Sequence, residues 1–272
     1  MGVIFYSGGE TSVINTIIGL DLAATFQKKK VGVAVVKNLG DVFALTSVQL
    51  LKSTDEILDS VQNAEPPVLL AIDAPLKLAL SDETNESNIQ NMETQWPMVY
   101  TYRPWEYLIF EKLRKEYGIS GRPFSSLTIT YRAQVLRRLV EKGGWKLISS
   151  PDQMTGQCFT EVFPNLTMGI LGFAKQKRWE FVSNLFADGY CGIFLSNETG
   201  KQLESFIDEE DVLDAIICAW TGALFARSTN QSKMVVCLGD NKYGFVICPY
   251  TPELESFLAN SPTDLIYSHN IL

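Results

Sequence analysis

The chain has 272 residues, 46% of them hydrophobic, and a formal net charge of -8, which is enough material for one large α/β domain or for one domain carrying a sizeable insertion. No apolar run approaches the roughly 18 residues of a membrane span, and no basic segment leads into an apolar core ending at a cleavage site; a cytoplasmic protein with no membrane partner is therefore expected. The acidic balance argues against broad polyanion binding, since phosphate contacts normally come from a basic face, and a single histidine, His269, removes Ser-His-Asp and Cys-His triads and histidine zinc sites, leaving any catalysis to carboxylates.

In chain order, residues 12–21 (SVINTIIGLD), 31–36 (VGVAVV) and 41–48 (DVFALTSV) read as three strands with connections short enough for an antiparallel meander. Residues 54–62 read as a helix with Thr54 as N-cap and Ile57, Leu58 and Val61 on one face. Residues 67–73 (PVLLAID) form a continuous apolar run ending in an acid, the pattern of a strand buried on both faces. Residues 81–95 are polar with little apolar content and read as a loop. Two helices follow, over 104–117 and 130–142, the second stopping at Gly143 and Gly144. Together, residues 81–145 read as a loop and helical insertion covering one side of the sheet.

Residues 158–163 (CFTEVF) read as a strand closed by Pro164, with shorter helices over 177–186 and 200–206. Residues 211–227 (DVLDAIICAWTGALFAR) give a long, largely buried helix. A hairpin over 234–238 and 244–248 and a last helix over 252–258 complete the chain. The five cysteines form no C-x-x-C pair, and Cys218 and Cys237 sit in apolar runs, which suits a reducing compartment. Three antiparallel strands, a helix, then parallel strands and helices is not the alternating Rossmann order. Neither G-x-G-x-x-G nor a P-loop motif occurs.

Four acids come from three separated segments. Asp21 and Asp73 end two apolar strands, and Asp211 and Asp214 share a helix face at i and i+3. Carboxylates at the ends of adjacent strands lie about 5 Å apart, close enough to share a cation. Two ionised carboxylates about 4 Å apart repel by roughly 4 kcal/mol at an effective dielectric near 20, so such a cluster must protonate or bind a cation. Mg²⁺ or Mn²⁺ takes oxygen ligands and keeps open water positions. Each acid also has a plainer reading: Asp21 and Asp73 as turn residues, Asp211 as a helix N-cap with Asp214 as its partner. The basic groups 28–30, 132–142 and 175–178 are the candidates for the local basic patch that a nucleic acid would need, and each also reads individually as solvated surface.

The segments Gly19-Leu20-Asp21-Leu22-Ala23, Ile72-Asp73-Ala74-Pro75-Leu76, Arg103-Pro104-Trp105-Glu106, Glu161-Val162-Phe163-Pro164 and Asp211-Val212-Leu213-Asp214-Ala215 together resemble a family of predicted RNase H-like nucleases, similar in acidic pattern to Holliday-junction resolvases. The resemblance implies an RNase H-like mixed sheet in a single domain over residues 1–272, three antiparallel strands followed by parallel ones and flanked by helices. It implies a metal site of Asp21, Asp73, Asp211 and Asp214, with Glu161 as a fifth catalytic candidate, and hydrolysis of a nucleic-acid phosphodiester. Lys175 and Arg178 fall where a cation facing the phosphate would be useful. Arg103 either pairs with Glu106 across a helical turn or reaches the site mouth. Two other readings stand beside this one: an inactive scaffold of the same fold binding a partner, and a small phosphotransferase of the actin and sugar-kinase superfamily. Oligomeric state is open.

Overall fold

The computed structural model describes residues 14–22, 30–40, 42–76, 104–119, 127–187, 193–195, 197–229, 232–240 and 244–260. Its first three strands are β1 (Thr16–Leu22), β2 (Val31–Asn38) and β3 (Phe43–Leu51). They form the antiparallel meander expected of β-branched runs with short connections, with a register shift at Val35/Val36. Helix α1 (Thr54–Gln62) is capped one residue earlier than the sequence pattern predicts. Ser53, not Thr54, is the N-cap, because Glu56 at the third helical position reciprocates: the Glu56 amide donates to Ser53 Oγ at 3.2 Å and Glu56 Oε2 accepts from the Ser53 amide.

Strand β4 (Val68–Asp73) then enters parallel to β1. The helical stretch α2 runs through Pro104–Leu108, a π-helical segment Ile109–Leu113 and Arg114–Tyr117. It is followed by α3 (Leu127–Lys142) and the two-residue strand β5 (Lys146–Leu147). Strand β6 (Gln157–Val162) lies parallel to β4, and α4 (Pro164–Ile170) starts on the proline that ends it. Then come α5 (Arg178–Ala187), β7 (Ile193–Leu195), α6 (Asn197–Glu204) and the long α7 (Glu210–Arg227). The hairpin β8 (Val235–Asp240) and β9 (Gly244–Pro249) and helix α8 (Pro252–Asn260) close the described chain.

All the described strands belong to one mixed sheet, ordered β7-β3-β2-β1-β4-β6-β9-β8 with β5 beside β6. Helices flank both faces. Strand alternation sends Ile17, Leu69, Ala71 and Ile247 to one face, where they meet α7. Behind α7 lie Met168 of α4 and Phe181, Val182 and Leu185 of α5. Because α7 is covered by sheet on one side and helices on the other, Val212–Phe225 is buried throughout, which is why its sequence is apolar all round rather than striped.

The opposite face carries α1 and α3 over β1, β2 and β4. Farther along, α2 and α8 pack on Val236, Leu238, Val246 and Cys248 of the hairpin. Both described helices of the expected insertion, α2 and α3, therefore pack on the sheet face opposite to that of α7; residues 81–103 and 120–126 of it fall outside the described set. The short elements β5, β7 and α4 have no counterpart in the sequence reading, since two, three and seven residues are too few to display a period. Cys158, Cys218, Cys237 and Cys248 are buried thiols in no disulfide among the described residues. No described helix is long and apolar enough to cross a membrane.

Candidate functional site

Asp21 and Asp73 are register partners on parallel neighbours β1 and β4. Gly19 and Ala71, two residues earlier on each strand, face α7, so alternation points both carboxylates to that side, at the ends where the strands leave the sheet. Two glycines let the helix come down over them. A methyl group on Gly19 would lie 2.0 Å from the Ala215 carbonyl oxygen, and one on Gly32, the β2 partner of Asp21, 1.8 Å from that of Asp211. The first turn of α7 therefore rests directly on the Asp21–Gly32 pair, bringing Asp211 and Asp214 to the strand acids. The N-cap of α7 is Glu209, which makes no side-chain cap bond. Asp211 is a first-turn residue, not the cap that its plainer reading supposed.

The four acids feel one another. Burial raises the Asp21 carboxyl well above its ordinary range, and the charges of Asp73, Asp214 and Asp211 raise it further, with Arg178 opposing. Asp73 is raised likewise by burial, then by Asp214 and Glu161, against Arg178. Asp214 is pushed up to about 6, chiefly by burial, despite its contact with Arg178. Only 7% of Asp21 and of Asp214 is exposed. The site is thus a place where negative charge is concentrated and under-compensated. One turn beyond Asp214, the buried Cys218 thiol is also raised, first by burial and then by Asp73, Asp21 and Asp214.

Glu161 has a different position from the other four. On β6 it shares the side of Phe159, which packs on the α1 and α3 face, so alternation turns it away from α7. Its Oε2 accepts from the Leu76 amide at 2.9 Å. Two side chains of α3 hold the same segment: Gln134 donates to the Pro75 carbonyl at 2.7 Å and Arg137 to that of Leu76 at 2.8 Å. The Ala74 amide bonds back to Ile72 at 3.0 Å. The chain leaving Asp73 is pinned on every side, and Glu161 is one of the pins.

Of the expected cations among the described residues, Arg178 alone is seen at the acids. Its Nε donates to Asp214 Oδ1 at 2.5 Å, and Nη2 donates to Asn165 Oδ1 of α4 at 3.1 Å. Lys175 stands exposed in the turn before α5. Arg103 lies outside the described residues, while Glu106, its expected neighbour, is fully buried on α2. Sequence reasoning meets Arg132 only as a member of a basic run, a candidate patch that reads more readily as solvated surface. It is half-buried on α3, close enough to Asp21 and Asp211 for both charges to act on it against the burial that lowers its own pKa. The missing signal was three-dimensional: nothing at residue 132 announces that Gln134 and Arg137 fasten this helix to the exit of Asp73.

Asp21, Asp73, Asp211 and Asp214 offer only carboxylate oxygens, the donors that small hard divalent cations take. Among the described residues, no three or more His, Cys, Asp or Glu side chains form a ready ligand group; Asp214 has one oxygen engaged by a guanidinium. A scan of family models and searches of curated proteins and of solved structures return no match.

Proposed function

We propose that this chain is an RNase H-like, divalent-metal-dependent hydrolase of nucleic-acid phosphodiesters. The observation that carries the reading is the meeting of an in-register strand pair, Asp21 and Asp73, with the acidic first turn of α7, the carboxyls of Asp21, Asp73 and Asp214 raised first by burial and then by neighbouring negative charge. By donor type the set fits Mg²⁺ or Mn²⁺, held by Asp21 and Asp73 with Asp211 and Asp214. Such an ion supplies an activated water and charge stabilisation at a phosphodiester. The chain's own contribution is to keep the two strand carboxylates aligned, to exclude water beneath them with Cys218 and the α7 backbone, and to offer Arg132 and Arg178 as local positive charge. Arg103 and Lys175 are further candidates for phosphate contacts, and Glu161 serves by fixing the segment after Asp73.

The scaffold reading has its own support: no three described acids are gathered for a metal, and Arg178 already compensates Asp214. One comparison separates the two. Wild-type protein and Asp73→Asn are assayed with Mn²⁺ on labelled single-stranded and duplex DNA and RNA, alongside calorimetric Mn²⁺ titration. The hydrolase reading expects Mn²⁺ binding and a cleavage signal that falls at least a hundredfold, roughly what losing several kcal/mol of metal-supplied stabilisation entails. Mn²⁺ binding with equal inactivity of both proteins supports the scaffold, and a wild type that binds no Mn²⁺ removes the metal site.

A further inference from the structure

Arg178 opens α5 with its guanidinium held from two sides, by Asp214 and by Asn165. The pair is largely enclosed, its side chains 22% and 10% exposed. The same positive charge favours ionisation of Asp21 and Asp73, so Arg178 serves the whole acidic site and not one residue. Its placement also bears on the lack of a ready ligand group: one of the two Asp214 oxygens is occupied by a donor of the same sign as a metal ion.

We infer that Arg178 is a resident counter-cation exchanged for the divalent ion, leaving Asp214 when the metal enters and turning its fork to the substrate phosphate. This rests on the metal-dependent reading above. A guanidinium and a divalent ion held against one carboxylate in an enclosed site repel each other, so arrival of one weakens the hold of the other. The displaced group is well suited to what comes next, because the planar fork of arginine pairs with phosphate through two parallel hydrogen bonds. Neutralising Asp214 in the resting state also explains how three mutually repelling acids survive in the fold. The exchange makes metal and phosphate binding cooperative, and linkage requires each to strengthen the other by the same factor.

The test uses the full chain without turnover. Mn²⁺ is titrated calorimetrically into wild type and Arg178→Gln, and Arg Nε–H resonances are followed by NMR as Mg²⁺ is added to wild type. The expected results are Mn²⁺ binding about tenfold tighter in Arg178→Gln, within the usual range of such couplings, and loss of the carboxylate-bonded Arg178 signal at saturating Mg²⁺. Mn²⁺ should also tighten binding of a short fluorescein-labelled oligonucleotide to wild type but not to Arg178→Gln. Where Arg178→Gln does not fold, Asn165→Ala keeps the charge and removes one tether, and tighter Mn²⁺ binding by a few fold is expected. Equal or weaker Mn²⁺ binding by the folded variant, or an Arg178 signal that persists with Mg²⁺ bound, overturns the exchange and leaves the metal site standing. Binding by Arg178→Gln alone supports it in its strongest form. Binding by neither protein overturns the hydrolase reading and the exchange together.

Discussion

Asp21 and Asp73 are held by backbone register, whereas Asp211 and Asp214 ride on a helix whose position depends on what it touches. On the strand side, hydrogen bonds of the sheet fix the two Cα atoms as partners, and the segment after Asp73 is fastened by Glu161, Gln134 and Arg137. On the helix side, the acids reach the strands only because Gly19 and Gly32 leave room. One of them, Asp214, is committed to a cation from α5. The strand pair is therefore a fixed reference, and the helical turn is the adjustable partner.

That contrast is most sharply broken at the glycine contacts. Gly32→Ala sets a methyl group against the backbone of Asp211, which cannot swing aside as a side chain would. A loss of about 3 kcal/mol is expected, the upper end for overpacking, read as a lower urea midpoint; a change below about 1 kcal/mol would mean that α7 is free to lift.

Next in size is the effect of pH on the protein without metal. Asp214 rises from an ordinary 3.8 to about 6 in the fold, so the folded state holds more protons than the unfolded chain between those values. Stability is full below pH 3.8 as far as this group is concerned, and it declines as pH rises through about 6. Asp21 and Asp73, also raised, extend the decline upward. Asp73→Asn should melt higher than wild type at neutral pH and flatten the profile. A wild-type melting temperature that rises across this window would show that burial and neighbouring charge do not raise these carboxyls.

Smaller still is the expected effect of Arg132→Gln. On the hydrolase reading proposed above this removes one phosphate contact, so oligonucleotide affinity should fall by up to about tenfold, and the slope of log affinity against log salt should shrink by about one. An unchanged slope would place Arg132 among the structural cations. The least effect belongs to Lys30→Met, which removes the ion pair to Glu209 beside the start of α7 at 3.6 Å. Both side chains are well exposed, so screening holds the cost below about 1 kcal/mol by chemical denaturation; a larger loss would mean that this pair helps to seat the helix.

The same contrast governs what could be read in advance. Strand acids follow from local signals, an apolar run and the residue that ends it, and pairing two such runs places Asp21 beside Asp73. The buried helix was equally plain, since fourteen successive buried positions from Val212 to Phe225 leave an apolar sequence with acids at its entrance. The partners of those acids were not plain. That Arg178 bonds Asp214 across 36 positions, that Glu161 faces away from the site and holds Leu76, and that Arg132 comes within reach of Asp21 all depend on how helices settle on the sheet. No periodicity encodes that. The N-cap at Ser53 was missed for a more local reason, the reciprocal bond from Glu56.

The pinned exit from Asp73 bears on how the site responds when charge arrives. A carboxylate on a loose loop would relieve repulsion by drifting away as it ionised, and the chain would have to be gathered again for each ligand. Here residues 74–76 are bonded through Ile72, Glu161, Gln134 and Arg137, and none of these bonds is made by the Asp73 carboxyl. The reorganisation energy for meeting a cation is therefore small, because the work of gathering the charges was done once, when the polypeptide folded.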